Sequence, residues 1–242
     1  MTQVGVAGAR GRMGQEVCRA VEADADLELV AQIDEGDDVQ ALVDAGCDVV
    51  VDFTVAAAAR ETLPVLAANG IHAVVGTSGL SEDDHASLGE AFTTSNCLVA
   101  PNFAIGAVLM TRFAEIAAPF FETAEIVEYH HNAKVDAPSG TATHTAERMA
   151  AAKADWADDP TEIEVFDGAR GGEGPAGIRV HAVRMKGVVA NQEVLLGTTG
   201  QTLTIRHDTV DRTSFMPGVV LACKRIADHP GLTIGLDSYL GL

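Results

Sequence analysis

The first hundred residues alternate between two hydrophobic periods. Residues 2–7 form a short β-rich run, glycines follow, and a helical spacing continues to about residue 23. Residues 27–33 read as a second strand, 38–45 as a helix and 48–53 as a third strand. An Ala-rich helix is predicted over 56–69 and a strand over 71–75. Ser81 is placed to cap the next helix, with Asp83 and Asp84 in its first turn, and 97–100 read as a fifth strand. After Pro101 the rhythm changes. A long helical pattern covers 105–118, and strand-like segments follow at 123–130, 162–166, 178–184, 188–196 and 201–207, with one helix over 141–152. A last helix is predicted over 214–228, stopped by His229-Pro230-Gly231.

This order predicts an α/β chain with two lobes. Short strand–helix alternation gives a Rossmann-like, doubly wound parallel sheet with helices on both faces. The later strands, with few helices between them, give an α+β lobe built on a mixed sheet. The boundaries are expected at 1–102 plus 213–242 for the first lobe and 103–212 for the second.

Composition narrows the classes. The chain has 242 residues and is 47% hydrophobic, ample for a core, so disordered and fibrous classes are excluded. No apolar run reaches the roughly 18 residues of a membrane span, and the N-terminus lacks a basic-then-apolar leader. A soluble, cytoplasmic protein is expected. The formal net charge is −19, from 16 Lys+Arg against 35 Asp+Glu, which disfavours a nucleic-acid partner. Only Lys134, Lys153, Lys186 and Lys224 are lysines, and the other basic residues are all Arg. Such an acidic chain repels itself at low salt and is relieved at molar salt, so a halophilic cytosol is expected. Cys18, Cys47, Cys97 and Cys223 lie among apolar residues with no C-x-x-C pair, which predicts buried free thiols and no zinc site.

Two segments carry chemistry. The first strand runs into Gly8-Ala9-Arg10-Gly11-Arg12-Met13-Gly14, which opens a helix. A dinucleotide pyrophosphate is expected there, on amides at a helix N-terminus. Ala9, Gly11 and Gly14 keep the G-x-G-x-x-G spacing with Ala in the first place; taken alone, the run also fits a plain tight turn. Asp34 ends the second strand 20 residues past Gly14, where a carboxylate meets ribose hydroxyls. Glu35 follows in place of a basic residue, so NADH is favoured over NADPH, while Arg10 and Arg12 keep a 2′-phosphate open. Gly76-Thr77-Ser78 and Ala100-Pro101-Asn102-Phe103 follow the fourth and fifth strands, where open α/β sheets bind ligands, and are expected to reach the nicotinamide half.

The second segment is Glu128-Tyr129-His130-His131-Asn132-Ala133-Lys134-Val135-Asp136-Ala137-Pro138-Ser139-Gly140-Thr141. His130 can exchange a proton near neutral pH, Lys134 adds a fixed cation, and Ser139-Gly140-Thr141 starts a helix whose amides suit a carboxylate. Together with His131 they describe a pocket for a small dianion. A metal site at the His pair and a plain helix cap are the alternatives on spacing alone.

The run E-Y-H-H-N-A-K-V-D-A-P-S-G-T-A resembles the signature of the dihydrodipicolinate reductase (4-hydroxy-tetrahydrodipicolinate reductase) family of the diaminopimelate route to lysine. V-A-G-A-R-G-R-M-G at the start, D-F-T at 52–54, G-T-S-G at 76–79, A-P-N-F-A-I-G at 100–106, V-H-A-V-R at 180–184, N-Q-E-V at 191–194 and D-R-T-S-F-M-P-G-V near the end resemble the family too. The resemblance implies hydride transfer from a reduced nicotinamide to C4 of a dehydrated, conjugated cyclic imine that carries two carboxylates. By resemblance, His130 is the proton donor/acceptor. Lys134 is a second donor that also holds a carboxylate, and His131, Gly140 and Thr141 are substrate contacts. Gly8 to Met13, Asp34, Gly76 to Ser78 and Ala100 to Phe103 are cofactor contacts. It also implies a homotetramer built through the second lobe. The chemistry itself requires the two lobes to close over the substrate, with hinges expected near 102–103 and 212–213. Arg10 stands where some relatives have Gly, and Glu35 where NADP-tolerant relatives often have Arg; both bear on cofactor choice. The rival readings are another two-lobed nicotinamide dehydrogenase and a non-catalytic NAD sensor.

Overall fold

A computed structural model describes all residues, 1–242. In chain order the elements begin with β1 (Thr2–Ala7), α1 (Arg12–Ala23), β2 (Leu27–Ile33), α2 (Gln40–Asp44), β3 (Val49–Asp52) and α3 (Ala56–Ala68). There follow β4 (His72–Val75), α4 (Glu82–Ala91), β5 (Cys97–Val99), α5 (Ile105–Ala117), β6 (Thr123–His131) and α6 (Gly140–Ala152). The last are β7 (Gly172–Glu173), β8 (Arg179–Met185), β9 (Ala190–Thr198), β10 (Gln201–Thr209), α7 (Met216–Arg225), β11 (Leu232–Ile234) and α8 (Asp237–Leu240). The chain divides into two compact units, one of residues 1–104 with 212–242 and one of residues 105–211.

The first unit is a six-stranded, all-parallel sheet in the order β11-β5-β4-β3-β1-β2. Its central strands are buried along their length, as Val49, Val50, Val51 and Asp52 of β3 show, which is what a sheet covered on both faces requires. α1 buries Val17, Cys18 and Val21, one helical face. α4 starts as the sequence predicts: the Ser81 hydroxyl accepts from the Asp84 amide while the Asp84 side chain accepts from the Ser81 amide. All four cysteines are buried and unpaired.

The second unit is a mixed five-stranded sheet, β10-β9-β6-β8-β7, in which β6 runs parallel to β8 and antiparallel to β9. β6 and β8 are joined through α6, the crossover a parallel pair needs. α5 and α6 pack on one sheet face, where Met110, Ala114, Ile126, Ala146, Met149, Val194 and Leu196 form the core. The opposite face carries Tyr129, Glu193 and Arg206; Arg206 lies 5.4 Å over the Tyr129 ring and pairs with Glu193 at 2.8 Å.

Three expectations change. The segment 162–166 is no strand: Ile163, Val165 and Phe166 are exposed and no neighbouring strand pairs with them. Its alternation has the strand period, but a strand exists only where a ladder satisfies its backbone. The last helix is shorter, with α7 ending at Arg225 and 3₁₀ turns on either side. Beyond it the chain adds a sixth strand to the first sheet, because β11 pairs in parallel with β5; three residues are too few to show a period. The glycine-rich run 168–175 also contains the two-residue β7, paired with β8.

Candidate active site

In the first unit, the strand order reverses beside β1, where β2 lies on one side and β3 on the other. Ligands bind at such switch points, beyond the carboxyl ends of the strands. A cleft of about 760 Å³ opens there, lined among others by Gly8, Gly11, Asp34, Glu35, Phe53 and Thr54.

The turn leading to it depends on missing Cβ atoms. Gly8 has φ +78°, and a Cβ there would lie 2.8 Å from the Phe53 carbonyl oxygen. A Cβ on Gly14 would lie 2.0 Å from the Gly8 carbonyl oxygen, so α1 packs directly on the turn. Gly11 is the N-cap of α1, with no side-chain cap and no acidic residue in the first turn. The helix therefore presents uncapped amides and the positive end of its dipole to the cleft. These features fit a dinucleotide pyrophosphate.

Asp34 is built into this turn. Its carboxylate accepts from the Glu35 amide at 2.9 Å and the Arg10 amide at 2.7 Å, which hold it below the usual carboxylate range. The Arg10 guanidinium pairs with Asp37 at 2.8 Å and lies 3.9 Å from Asp34. Gly8, Gly11 and Asp34 thus meet in one cleft. Arg12 is exposed at the start of α1, and Ala9 and Met13 flank the turn.

The other two loops lie outside the cleft lining but are tied to it. Gly76 closes on the Phe53 ring, which a Cβ would meet at 2.1 Å, and Phe103 packs on Phe53 with centroids 5.8 Å apart. The Thr77 hydroxyl donates to buried Asp52 at 2.7 Å and accepts from the Thr54 amide at 2.9 Å, while Ser78 is exposed. Ala100 hangs from Val75, whose carbonyl accepts its amide at 3.0 Å; Pro101 is exposed; Asn102 accepts from the Ala104 amide at 2.8 Å. Asp52, Phe53 and Thr54 thus organise three loops, a role the sequence reading did not give them. The available signal was an acidic residue ending a fully apolar strand.

In the second unit, β6 ends at His130 and His131, and the next residues turn into α6. The Lys134 amide donates to the His131 carbonyl at 3.1 Å. The Lys134 ammonium donates to both Asp136 oxygens at 2.8 and 2.7 Å and holds that carboxyl below its ordinary range. Ser139, buried, caps α6 by accepting from the Ala142 amide at 3.2 Å. The other amides of the first turn belong to Gly140, which has open space around it, and Thr141. His130, His131, Lys134, Gly140 and Thr141 therefore belong to one strand end, one loop and one helix start.

Two further residues complete this cluster. The Glu128 side chain is completely buried on the same strand face as His130, and its Oε2 lies 2.5 Å from His130 Nδ1. Arg184 of β8 stands opposite His130 in the register and donates to both Glu128 oxygens at 2.8 Å each. Burial pushes the Glu128 carboxyl up. The hydrogen bonds and charges of His130 and Arg184 outweigh it and hold the group at about 2. The motifs E-Y-H-H and V-H-A-V-R contained both residues, and a carboxylate on the inward face of a strand already demanded a cation on its neighbour. A second, partly buried set lies in the same unit: His181 Nε2 is 2.6 Å from Glu125, which also pairs with Arg170 at 2.6 Å.

Comparison with known proteins settles the lineage. Residues 2–103 match the family model described as dihydrodipicolinate reductase, N-terminus, and residues 106–240 match that of its C-terminus. The chain belongs to the dihydrodipicolinate reductase family. Dihydrodipicolinate reductases named 4-hydroxy-tetrahydrodipicolinate reductase in Corynebacterium urealyticum and Nocardia farcinica are 53% and 52% identical. The first alignment covers 100% of both chains and the second 99% of both. A dipicolinate-bound dihydrodipicolinate reductase from a Paenisporosarcina species superposes with a TM-score of 0.87 at 36% identity, covering 98% of this chain and 99% of that one. A probable dehydrogenase from Thermotoga maritima, 11% identical with a TM-score of 0.64 and covering 98% of this chain and 92% of that one, shares the fold alone.

Proposed function

We propose that the chain is an oxidoreductase that reduces 4-hydroxy-tetrahydrodipicolinate to tetrahydrodipicolinate, with loss of water, in lysine and diaminopimelate biosynthesis. The observation that carries this reading is the cluster at the end of β6. An imidazole, an ammonium and a helix start converge there in a chain of formal net charge −19, where a dianion needs a local cationic site.

When bound, a reduced nicotinamide supplies the hydride to C4 of the ring. The residues of the chain do the rest. Gly8, Ala9, Arg10, Gly11, Arg12 and Met13 receive the pyrophosphate, and Asp34 takes the adenosine ribose hydroxyls. Gly76, Thr77, Ser78, Ala100, Pro101, Asn102 and Phe103 face the nicotinamide half. His130 gives the proton that quenches the charge left by the hydride. Lys134 exchanges its Asp136 partner for a substrate carboxylate and is a second proton donor. His131 and the Gly140 and Thr141 amides hold the dicarboxylate. The unit of residues 1–104 and 212–242 serves the cofactor; the unit of residues 105–211 serves the substrate and tetramer assembly. The sheet face carrying Tyr129 and Arg206 is suited to that assembly.

NADH is favoured over NADPH, because Arg10 is already engaged by Asp37 and Asp34, and Glu35 adds negative charge where a 2′-phosphate would sit. Steady-state kinetics with both cofactors test this: kcat/KM is expected to be higher with NADH, and a strong NADPH preference would refute it. No helix is long and apolar enough to cross a membrane, and the enzyme is assigned to the cytoplasm. The reaction itself is tested by NADH oxidation at 340 nm with freshly generated substrate. Cofactor binding without turnover would favour a sensor.

A further inference from the structure

Glu128 sits two residues before His130 in β6, with no part of its side chain reaching solvent. A buried carboxylate is costly unless every lone pair is used, and here the use is specific. Oε2 accepts from His130 Nδ1 at 2.5 Å and from Arg184 Nη1 at 2.8 Å. Oε1 accepts from Arg184 Nη2 at 2.8 Å and from the Ser139 amide at 3.1 Å. Arg184 Nη2 also donates to the Asp136 carbonyl at 2.6 Å. One buried ion pair therefore touches the imidazole, the loop that carries Lys134, and the residue that caps α6.

An ionised carboxylate can only accept. The hydrogen between Glu128 and His130 therefore belongs to Nδ1. A histidine free in water prefers its proton on Nε2; the partner of one ring nitrogen decides which is protonated. We propose that Glu128 is a positioning residue for the reduction. It keeps the proton on His130 Nδ1, so that Nε2 is the atom that gives up and regains the reaction proton. With Arg184 it also fixes the Lys134 loop and the start of α6 against that imidazole. The inference rests on the reading of His130 as proton donor.

The Glu125 set gives an internal control. Glu125 pairs with Arg170 and His181 in the same unit, but its side chain is 31% exposed and it holds neither the Lys134 loop nor a helix start. A merely structural carboxylate would behave as Glu125 does.

The test combines ¹⁵N-histidine NMR of the full chain, read at the alkaline end of its own pH titration, with steady-state kinetics. His130 in the wild type is expected in the Nδ1–H form. Glu128→Gln, which removes the charge and replaces one acceptor by a donor, is expected to lose that form. It is also expected to lower kcat about 10–100-fold, the usual cost of losing an orienting partner. Glu125→Gln is expected to leave both readouts at wild-type values. Four results overturn the inference: a wild-type His130 in the Nε2–H form, a Glu128→Gln enzyme with wild-type kcat, a slow Glu128→Gln enzyme whose His130 stays wholly Nδ1–H, or an equal kcat loss in Glu125→Gln. The wild-type spectrum decides even where Glu128→Gln does not fold. His130→Ala, measured in parallel, separates the two claims: wild-type turnover in that variant refutes the proton-donor reading itself.

Discussion

At the scale of residues, the candidate site holds its two ionisable donors by unequal partners. Lys134 spends its ammonium on Asp136, whose side chain is 57% exposed, an exchangeable partner. His130 leans on Glu128, which is buried and not exchangeable. Lys134 and His130 therefore differ in what they can release. Lys134→Ala is expected to raise KM for the dicarboxylate and lower kcat together, with KM for NADH unchanged; an unchanged substrate KM would remove Lys134 from carboxylate binding. His130→Ala is expected to lower kcat about 10²–10⁴-fold, the range for a positioned proton donor, with little change in substrate KM.

The residues with evident chemistry were legible from the sequence because His, Lys and glycine in a dense run leave few uses. Glu128 and Arg184 were not assigned because their meaning lies in pairing across strands. Nothing in the local sequence states that His130 stands opposite Arg184 in the β6–β8 register. Asp52 was missed in the same way: its partners Thr54 and Thr77 come from two loops, and only the second is distant in sequence.

At the scale of elements, two helix starts do opposite things. α1 has no side-chain cap and depends on glycines, whereas α6 is capped by Ser139, which Glu128 also anchors. Gly14→Ala is expected to push α1 off the Gly8 carbonyl and weaken NADH binding at least tenfold by fluorescence titration; wild-type affinity would show that the turn tolerates a Cβ. Ser139→Ala is expected to cost about 1 kcal/mol of stability as a lost cap.

Acid sensitivity belongs at this scale, since paired carboxylates knit the second unit together. Glu128 is held at about 2 in the folded chain against 4.5 ordinarily. Glu115 and Glu125 are also lowered; burial raises them, but their Arg and His partners outweigh it. A carboxyl lowered by folding stabilises above its unfolded value, and that stability drains as pH falls toward the folded value. The urea midpoint is therefore expected to fall steadily from about pH 4.5 toward pH 2. A midpoint that does not fall across that window would contradict these pairings. The regular elements were legible because most are long or strongly periodic. Segment 162–166 misled because alternation was present without a partner strand, and β11 escaped because its three residues become a strand only beside β5.

At the scale of the whole molecule, the formal net charge of −19 is the outstanding property. If the surface is adapted to salt, Tm rises with KCl as repulsion is screened; a flat or falling curve would leave an ordinary acidic enzyme. On the proposed reading, the same excess makes Lys134 and the start of α6 the local features that an anionic substrate meets.

The most direct measurement is single-turnover reduction of freshly generated 4-hydroxy-tetrahydrodipicolinate by wild type and His130→Ala, followed at 340 nm. The account predicts one NADH oxidised per substrate by the wild type, and the same stoichiometry at a rate about 10²–10⁴-fold lower in the variant. No oxidation above the blank by the wild type, or equal rates for the two proteins, would contradict it.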